Sequence, residues 1–283
     1  MSKPITPAMI KDLRDRTGVG MGKCKEALEE AKGDMELAIS NLRKAGIASA
    51  VKKEGRATNE GVIATADNHK NIALVEVNAE TDFVAKNDRF QDFAKNIANE
   101  VASSNPASVE NFKSQKYSKD PALTIEDYRS TIVQTIGENI QLRRLKTFKK
   151  EPNKSIGVYS HLGGKLVTVV EISGSDKEEA LAKDIAMHSA AAAPEYLTEK
   201  DVPESVIQNE REIAKSQMKG KPDHVINKIV DGKMESFYNS VCLTRQEYIK
   251  DHSKKISDVI NERSKATGKP LAITGFLRWS VGQ

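Results

Sequence analysis

The sequence is poor in aromatic residues, which make up 5% of its 283 positions and include one tryptophan, and poorer still in cysteine, of which it has two. Cys24 and Cys242 lie far apart and form no Cys-x-x-Cys pair, which excludes a disulfide-rich scaffold or a zinc ribbon and fits reduced thiols in a cytosolic protein. Cys24 sits among helix-forming residues and reads as a small core side chain, not a nucleophile. No apolar run is long enough to span a bilayer, and the Met-Ser-Lys-Pro start lacks the apolar stretch of a signal peptide, so a cytoplasmic protein without membrane contact is expected. Neither sign of charge dominates: 44 basic against 40 acidic residues leave a net charge of +4, which argues against direct nucleic acid binding. The densest basic run is Arg143, Arg144, Lys146, Lys149 and Lys150 around Leu145 and Phe148. It suits a solvated strand face or edge, where lysines discourage edge-to-edge pairing, better than a phosphate-tracking patch.

Catalytic signatures are missing too. The histidines at 69, 161, 188, 224 and 252 include no i, i+4 pair that would turn two imidazoles toward one metal. Gly18, Gly20 and Gly22 follow no strand, and Gly163-Gly164-Lys165 lacks the length and hydroxyl of a phosphate loop, so both read as turns. No Gly-x-Ser-x-Gly elbow occurs. The expectation is a protein with no catalytic residue, no metal and no cofactor.

What the chain does have is an internal repeat. Gly61-Val-Ile, a polar turn around Asn68 and Lys70-Asn-Ile-Ala-Leu-Val-Glu-Val77 match Gly157-Val-Tyr, a turn at Gly163 and Gly164, and Lys165-Leu-Val-Thr-Val-Val-Glu-Ile172. Further on, Phe93-Ala-Lys-Asn-Ile-Ala98 before Pro106 matches Leu181-Ala-Lys-Asp-Ile-Ala186 before Pro194. Two copies suggest a duplicated domain, not a solenoid. Strand and helix are separated by residues 78–92 in the first copy but only 173–180 in the second, so the first carries seven extra residues. They include Thr81-Asp-Phe-Val-Ala-Lys86.

The first 47 residues read as three short helices: Thr6 and Pro7 open one, Gly18 and Gly20 end it, and Gly33 with Asp34 separates the second from the third. Residues 48–60 read as a linker. In each copy paired strands precede a helix; residues 105–120 form a polar loop, Ile125 to Ile136 a helix and Ile140 to Phe148 a strand. Two long helices follow between Pro203 and Val241, with apolar stripes through Val206, Ile207, Ile213, Ala214 and Met218 and through Val225, Ile226, Ile229, Val230, Met234, Phe237 and Tyr238. Gly220, Lys221 and Pro222 form the tip of that hairpin. A final strand from Leu271 to Val281 completes the second sheet. The expected domains are 1–54 (three-helix module and linker), 55–150 (first core subdomain), 151–200 with 242–283 (second) and 201–241 (hairpin).

Two readings of the inserted hexapeptide are open. Phe83 projects from a surface connection as an apolar anchor, worth roughly 1.5–3 kcal/mol when buried by a partner. Alternatively, Asp82 caps the following helix and Phe83 packs beneath it. His188, in a helix of small residues ending at Pro194, also has two: a histidine bonded within its own domain, or part of a helix laid against a partner.

Several motifs in order resemble one family. Leu13-Arg-Asp-Arg-Thr-Gly-Val-Gly-Met21 with Cys24-Lys-Glu-Ala-Leu28, Asn78 with Glu80-Thr-Asp-Phe-Val-Ala-Lys86, Ile136-Gly-Glu-Asn-Ile140 with Arg143 and Arg144, and Ile185-Ala-Met-His188 are similar to the bacterial elongation factor Ts family. The resemblance covers nearly the whole chain. It implies an α+β fold with a ubiquitin-associated-like three-helix module, duplicated core subdomains with antiparallel sheets and an inserted coiled-coil hairpin. It implies a guanine nucleotide exchange factor in translation, whose partner is the GTPase elongation factor Tu, in a heterodimer or heterotetramer. Thr81, Asp82, Phe83 and Val84 are then the residues that wedge beside the nucleotide and dislodge magnesium, with Arg14, Val19, Met21 and His188 as further contacts. Gly22 departs from relatives that carry a large apolar residue there, and some relatives continue past the final strand. A scaffolding adaptor and an RNA-binding protein using Arg143 to Lys150 are the competing expectations.

Overall fold

A computed structural model of the chain describes residues 4–216 and 223–283. The fold is α+β, with antiparallel sheets. It begins with helices α1 (Pro7–Thr17), α2 (Met21–Glu30) and α3 (Met35–Lys53). The Thr6 hydroxyl accepts from the Met9 amide at 3.3 Å, and the Asp34 carboxylate accepts from the Leu37 amide at 3.0 Å, so both caps satisfy amides that a helix start leaves unpaired. Leu13, Cys24, Leu28 and Ala38 are fully buried at the centre of this module. The linker expected over residues 48–60 is shorter than its composition suggested, because α3 continues through Lys53. Ala48 and Ala50 favour helix, and Ala50 is buried in the core of the first repeat copy, so tertiary packing extends the helix.

The first copy comprises β1 (Glu60–Asp67), β2 (Asn71–Ala79), α4 (Asp82–Ala85), α5 (Asp88–Ser104), α6 (Val109–Lys113), β3 (Lys116–Tyr117), β4 (Asp120–Thr124), α7 (Ile125–Ile136) and β5 (Ile140–Lys149). Its sheet has the order β1-β2-β5, and β2 is antiparallel to both neighbours. Every residue of this central strand is buried. Ala73, Val75, Val77 and Ala79 join the core that Phe90, Phe93, Ile97 and Val101 of α5 fill, while Glu76 and Asn78 lie on the other face.

The second copy comprises β6 (Lys154–His161), β7 (Leu166–Ser173), α8 (Glu179–Ala192), α9 (Glu204–Ser216), α10 (Asp223–Val241), β8 (Glu247–Tyr248), β9 (Asp251–Lys255), α11 (Ile256–Thr267) and β10 (Ala272–Ser280). Its sheet runs β10-β7-β6. The duplication therefore extends beyond the segments whose sequences match visibly. Residues 105–120, expected as loop, contain α6 and lead into the β3–β4 ribbon, and the β8–β9 ribbon repeats its register: Tyr117 opposes Asp120 as Tyr248 opposes Asp251. The amide of Ile125 donates to the Gln115 carbonyl at 2.9 Å, as Ile256 does to Gln246 at 3.0 Å. Two of these strands have two residues and the other two show no apolar–polar alternation, so they carry no periodicity to detect.

Helices α9 and α10 enter the second copy where the first has only α6. Ala214, Val230 and Met234 are buried between them, with Ile207, Ile226, Phe237 and Tyr238 around them. The expected tip at Gly220 to Pro222, and Met218 of the stripe, lie outside the described residues. Helix α8 approaches its sheet closely: a Cβ on Gly157 would come within 2.1 Å of the Lys183 amide nitrogen. The alanines of α8 permit what the phenylalanines of α5 do not.

The residues cluster into two compact units, Met1–Lys149 with Gly163–Lys165 and Ser280–Gln283, and Lys150–Leu162 with Leu166–Trp279. Within the first, Glu76 is wholly buried. Its carboxylate accepts from Arg144 Nε at 2.6 Å, the Gly282 amide at 2.9 Å and Asn78 Nδ2 at 3.1 Å, tying the last residues of the chain to β2 and β5. Part of the basic run thus serves a buried carboxylate.

Candidate functional site

The seven-residue insertion contains α4, a single helical turn. Thr81 caps it, its hydroxyl accepting from the Val84 amide at 3.3 Å. Ala85 is buried and Val84 packs partly against the first-copy core, which turns the opposite side of the turn outward. Phe83 is there, 82% exposed. Asp82 is held by Lys86 one turn on, at 2.8 Å, and this hydrogen bond draws its carboxyl below the usual carboxylate range. The cap of α5 is Asn87, which accepts from the Arg89 amide at 3.0 Å. The arrangement with Asp82 as the cap and Phe83 beneath the helix is therefore not the one adopted: Asn87 takes the capping place, and α5 already supplies Phe90 and Phe93 to the core.

Beneath α4 lies a set of hydrogen bonds that the sequence did not disclose. Glu138, in the loop between α7 and β5, accepts from the Thr81 amide at 3.1 Å and from the Thr81 hydroxyl at 2.7 Å. In return Glu80 accepts from the Asn139 amide at 2.6 Å and from Arg56 at 3.3 Å. Asn139, fully buried, donates from Nδ2 to the carbonyls of Glu54 and Arg56. The Ile136-Gly-Glu-Asn-Ile140 motif marked this segment, but only the fold brings it under Thr81.

The other expected contacts are distributed. Arg14 is exposed on α1, Met21 is 40% exposed at the start of α2, and Val19 is buried in the three-helix core. Arg89 donates to the Gly18 carbonyl at 2.8 Å, linking the start of α5 to the α1–α2 turn. His188 belongs to the second unit and has no exposed surface. Its Nδ1 accepts from the Ile249 amide at 3.4 Å, which puts the ring proton on Nε2, 3.0 Å from Gln246 Oε1. Burial lowers its pKa and keeps it neutral. In the first copy Glu100 plays the equivalent part, accepting from the Ser118 amide at 3.3 Å. In this structure the intradomain bonding of His188 is the one formed.

Burial raises the thiols of both cysteines, that of Cys242 to about 11, which disfavours the nucleophilic thiolate. Among the described residues no group of three or more histidine, cysteine, aspartate or glutamate side chains could hold a metal, and no helix is long and apolar enough to cross a membrane.

A family model described as elongation factor TS matches residues 80–283. The elongation factor Ts of Protochlamydia amoebophila is 64% identical over 279 residues, covering 99% of each chain. That of Chlamydia muridarum is 45% identical, over 96% of this chain and 97% of its own. With a family match over more than half the chain and end-to-end relatives at this identity, the protein belongs to the elongation factor Ts family, a family of translation elongation factors.

Proposed function

We propose that this protein is a guanine nucleotide exchange factor for the GTPase elongation factor Tu, acting in the cytoplasm without covalent chemistry, cofactor, membrane contact or direct contact with nucleic acid. The observation that carries the reading is Phe83, a large apolar side chain 82% exposed on a turn that one repeat copy has and the other lacks. An exposed phenylalanine on a short, capped helix suits insertion into a partner.

Thr81, Asp82, Phe83 and Val84 enter the GTPase beside its nucleotide, and magnesium loses its place there. Since magnesium bridges phosphate oxygens to the protein, its displacement weakens GDP binding. By linkage GDP weakens factor binding by the same ratio, so the two exchange in a cycle. A ten-thousandfold loosening needs about 5.5 kcal/mol of differential affinity, more than one phenylalanine supplies. Arg14, Val19, Met21 and His188 mark further regions of contact. For Val19 and His188 the contact runs through the surfaces they support, since both side chains are buried. The architecture we assign is a ubiquitin-associated-like module (1–54), core subdomains at 55–150 and at 151–200 with 242–283, and a coiled-coil hairpin (201–241), in a complex of one or two copies of each partner.

Stopped-flow release of a fluorescent GDP analogue from elongation factor Tu tests this. The native chain accelerates release, and Asp82→Ala with Phe83→Ala removes most of the effect. Absence of acceleration by the native chain refutes the proposal, and binding indifferent to nucleotide points to the adaptor instead.

A further inference from the structure

The α4 turn is too short to hold its own shape. A four-residue helix closes little more than one turn of backbone bonds, and isolated turns of that length do not persist in water. Something outside it must select the conformation that presents Phe83. We infer that Glu138 is a positioning residue for exchange: its carboxylate locks the Thr81 cap and so presets the turn that carries Asp82 and Phe83. The inference rests on the exchange reading above.

The geometry is specific. Thr81 has one hydroxyl proton, and Glu138 takes it at 2.7 Å. The oxygen lone pairs are left to accept, and the Val84 amide meets one at 3.3 Å. The second Glu138 oxygen takes the Thr81 amide at 3.1 Å. One carboxylate therefore fixes both the rotamer of the cap and its backbone, through hydrogen bonds of the stronger, charge-assisted kind. The clamp is reciprocal, because Glu80 receives the Asn139 amide while Glu138 receives that of Thr81. It closes the end of the ladder where Ala79 of β2 opposes Ile140 of β5.

The second copy supplies an internal comparison. Gly137 and Gly268 end α7 and α11 in the same left-handed conformation, so Lys269 stands where Glu138 does. Val75 on Val170 likewise puts Ser175 where Glu80 is. The copy without the α4 turn thus has neither carboxylate, and its lysine reaches Ser175 Oγ at 3.5 Å. The acidic pair accompanies the inserted turn, which the β-sheet itself does not require. Glu138 bonds to Thr81, and through that cap it acts on the turn.

The test uses the full chain as native protein, Glu138→Ala, Glu138→Gln and Phe83→Ala. Two readouts are taken: amide hydrogen exchange over residues 81–86, and stopped-flow release of the GDP analogue analysed as maximal rate and half-saturating concentration. Glu138→Ala should speed amide exchange at Val84 to Lys86 about tenfold or more, with protection of β2 and α5 unchanged. It should lower the catalysed release rate severalfold. Glu138→Gln, which keeps one acceptor oxygen, should recover part of both. Unchanged amide exchange in Glu138→Ala overturns the clamp. Faster amide exchange with normal GDP release, while Phe83→Ala is impaired, overturns the positioning role and leaves the exchange function standing. Normal release in Phe83→Ala as well overturns the Phe83 wedge and this inference with it, whereas no acceleration by the native chain overturns the exchange reading itself.

Discussion

Phe83 and Phe93 are the same residue type ten positions apart, and their environments are opposite: the first is 82% exposed and the second 0%. Under the proposed function, truncating each to alanine separates a side chain kept for a partner from one kept for the fold. Phe83→Ala removes almost no buried surface, so stability should change by no more than about 0.5 kcal/mol. Phe93→Ala opens a cavity in the first-copy core beside Tyr128, whose ring meets that of Phe93 edge-on at 5.0 Å, and should cost about 3–5 kcal/mol. If Phe83 enters the GTPase as proposed, the order reverses there. Full burial of a phenylalanine is worth about 1.5–3 kcal/mol. About four-fifths of that surface is still free at Phe83, so docking can gain roughly 1.2–2.5 kcal/mol, an affinity factor of about 8 to 65. Thermal unfolding gives the first quantity, and the factor concentration that half-saturates GDP release gives the second. The reasoning is refuted if Phe83→Ala lowers Tm as far as Phe93→Ala does, or if it leaves the half-saturating concentration unchanged.

Three further outcomes follow from the geometry. Glu76→Ala strips a buried acceptor from Arg144, Asn78 and the Gly282 amide; because the Arg144 side chain is 30% exposed and can reach water, the loss should lie near the lower end of the 3–5 kcal/mol for breaking a buried pair, seen in urea unfolding, with faster amide exchange at Gly282. Gly157→Ala drives a methyl group into the backbone of α8 at Ala182 and Lys183 and should cost about 1–3 kcal/mol or more, with the altered exchange protection centred on β6 and α8. His188, whose folded pKa lies below the ordinary 6.5, contributes stability that is complete above that pH. As the pH falls below about 6.5 the unfolded chain protonates first, so stability drops until the folded pKa is passed. The second unit of the native protein should therefore lose more stability between pH 7.5 and 5.5 than that of His188→Gln, measured by chemical denaturation, and equal losses would contradict the burial argument.

Much of the fold was legible along the chain. The caps at Thr6 and Asp34, the strands of both copies and the helices with apolar stripes are local patterns, and local chemistry is enough to specify them. The end of α3 was not, because Ala50 is helical for the sake of a core assembled from residues much later in the sequence. The β3–β4 and β8–β9 ribbons are not legible, because β3 and β8 have two residues each and β4 and β9 do not alternate apolar with polar residues, although Tyr117 and Asp120 recur as Tyr248 and Asp251.

For the site the division is sharper. By itself the sequence determined that one repeat copy has an insertion, that Asp82 and Phe83 stand in it, and that its motifs are those of a known family. It left open whether Phe83 faced inward or outward, since an aromatic residue after a strand satisfies either pattern. Tertiary structure decided that: Ala85 and Val84 take the inner side of the turn, the core is already filled by Phe90 and Phe93, and Phe83 is left in solvent. It also decided the support. Glu138 is 57 residues from Thr81, and a carboxylate can meet that hydroxyl and amide only because β2 and β5 pair side by side and end together.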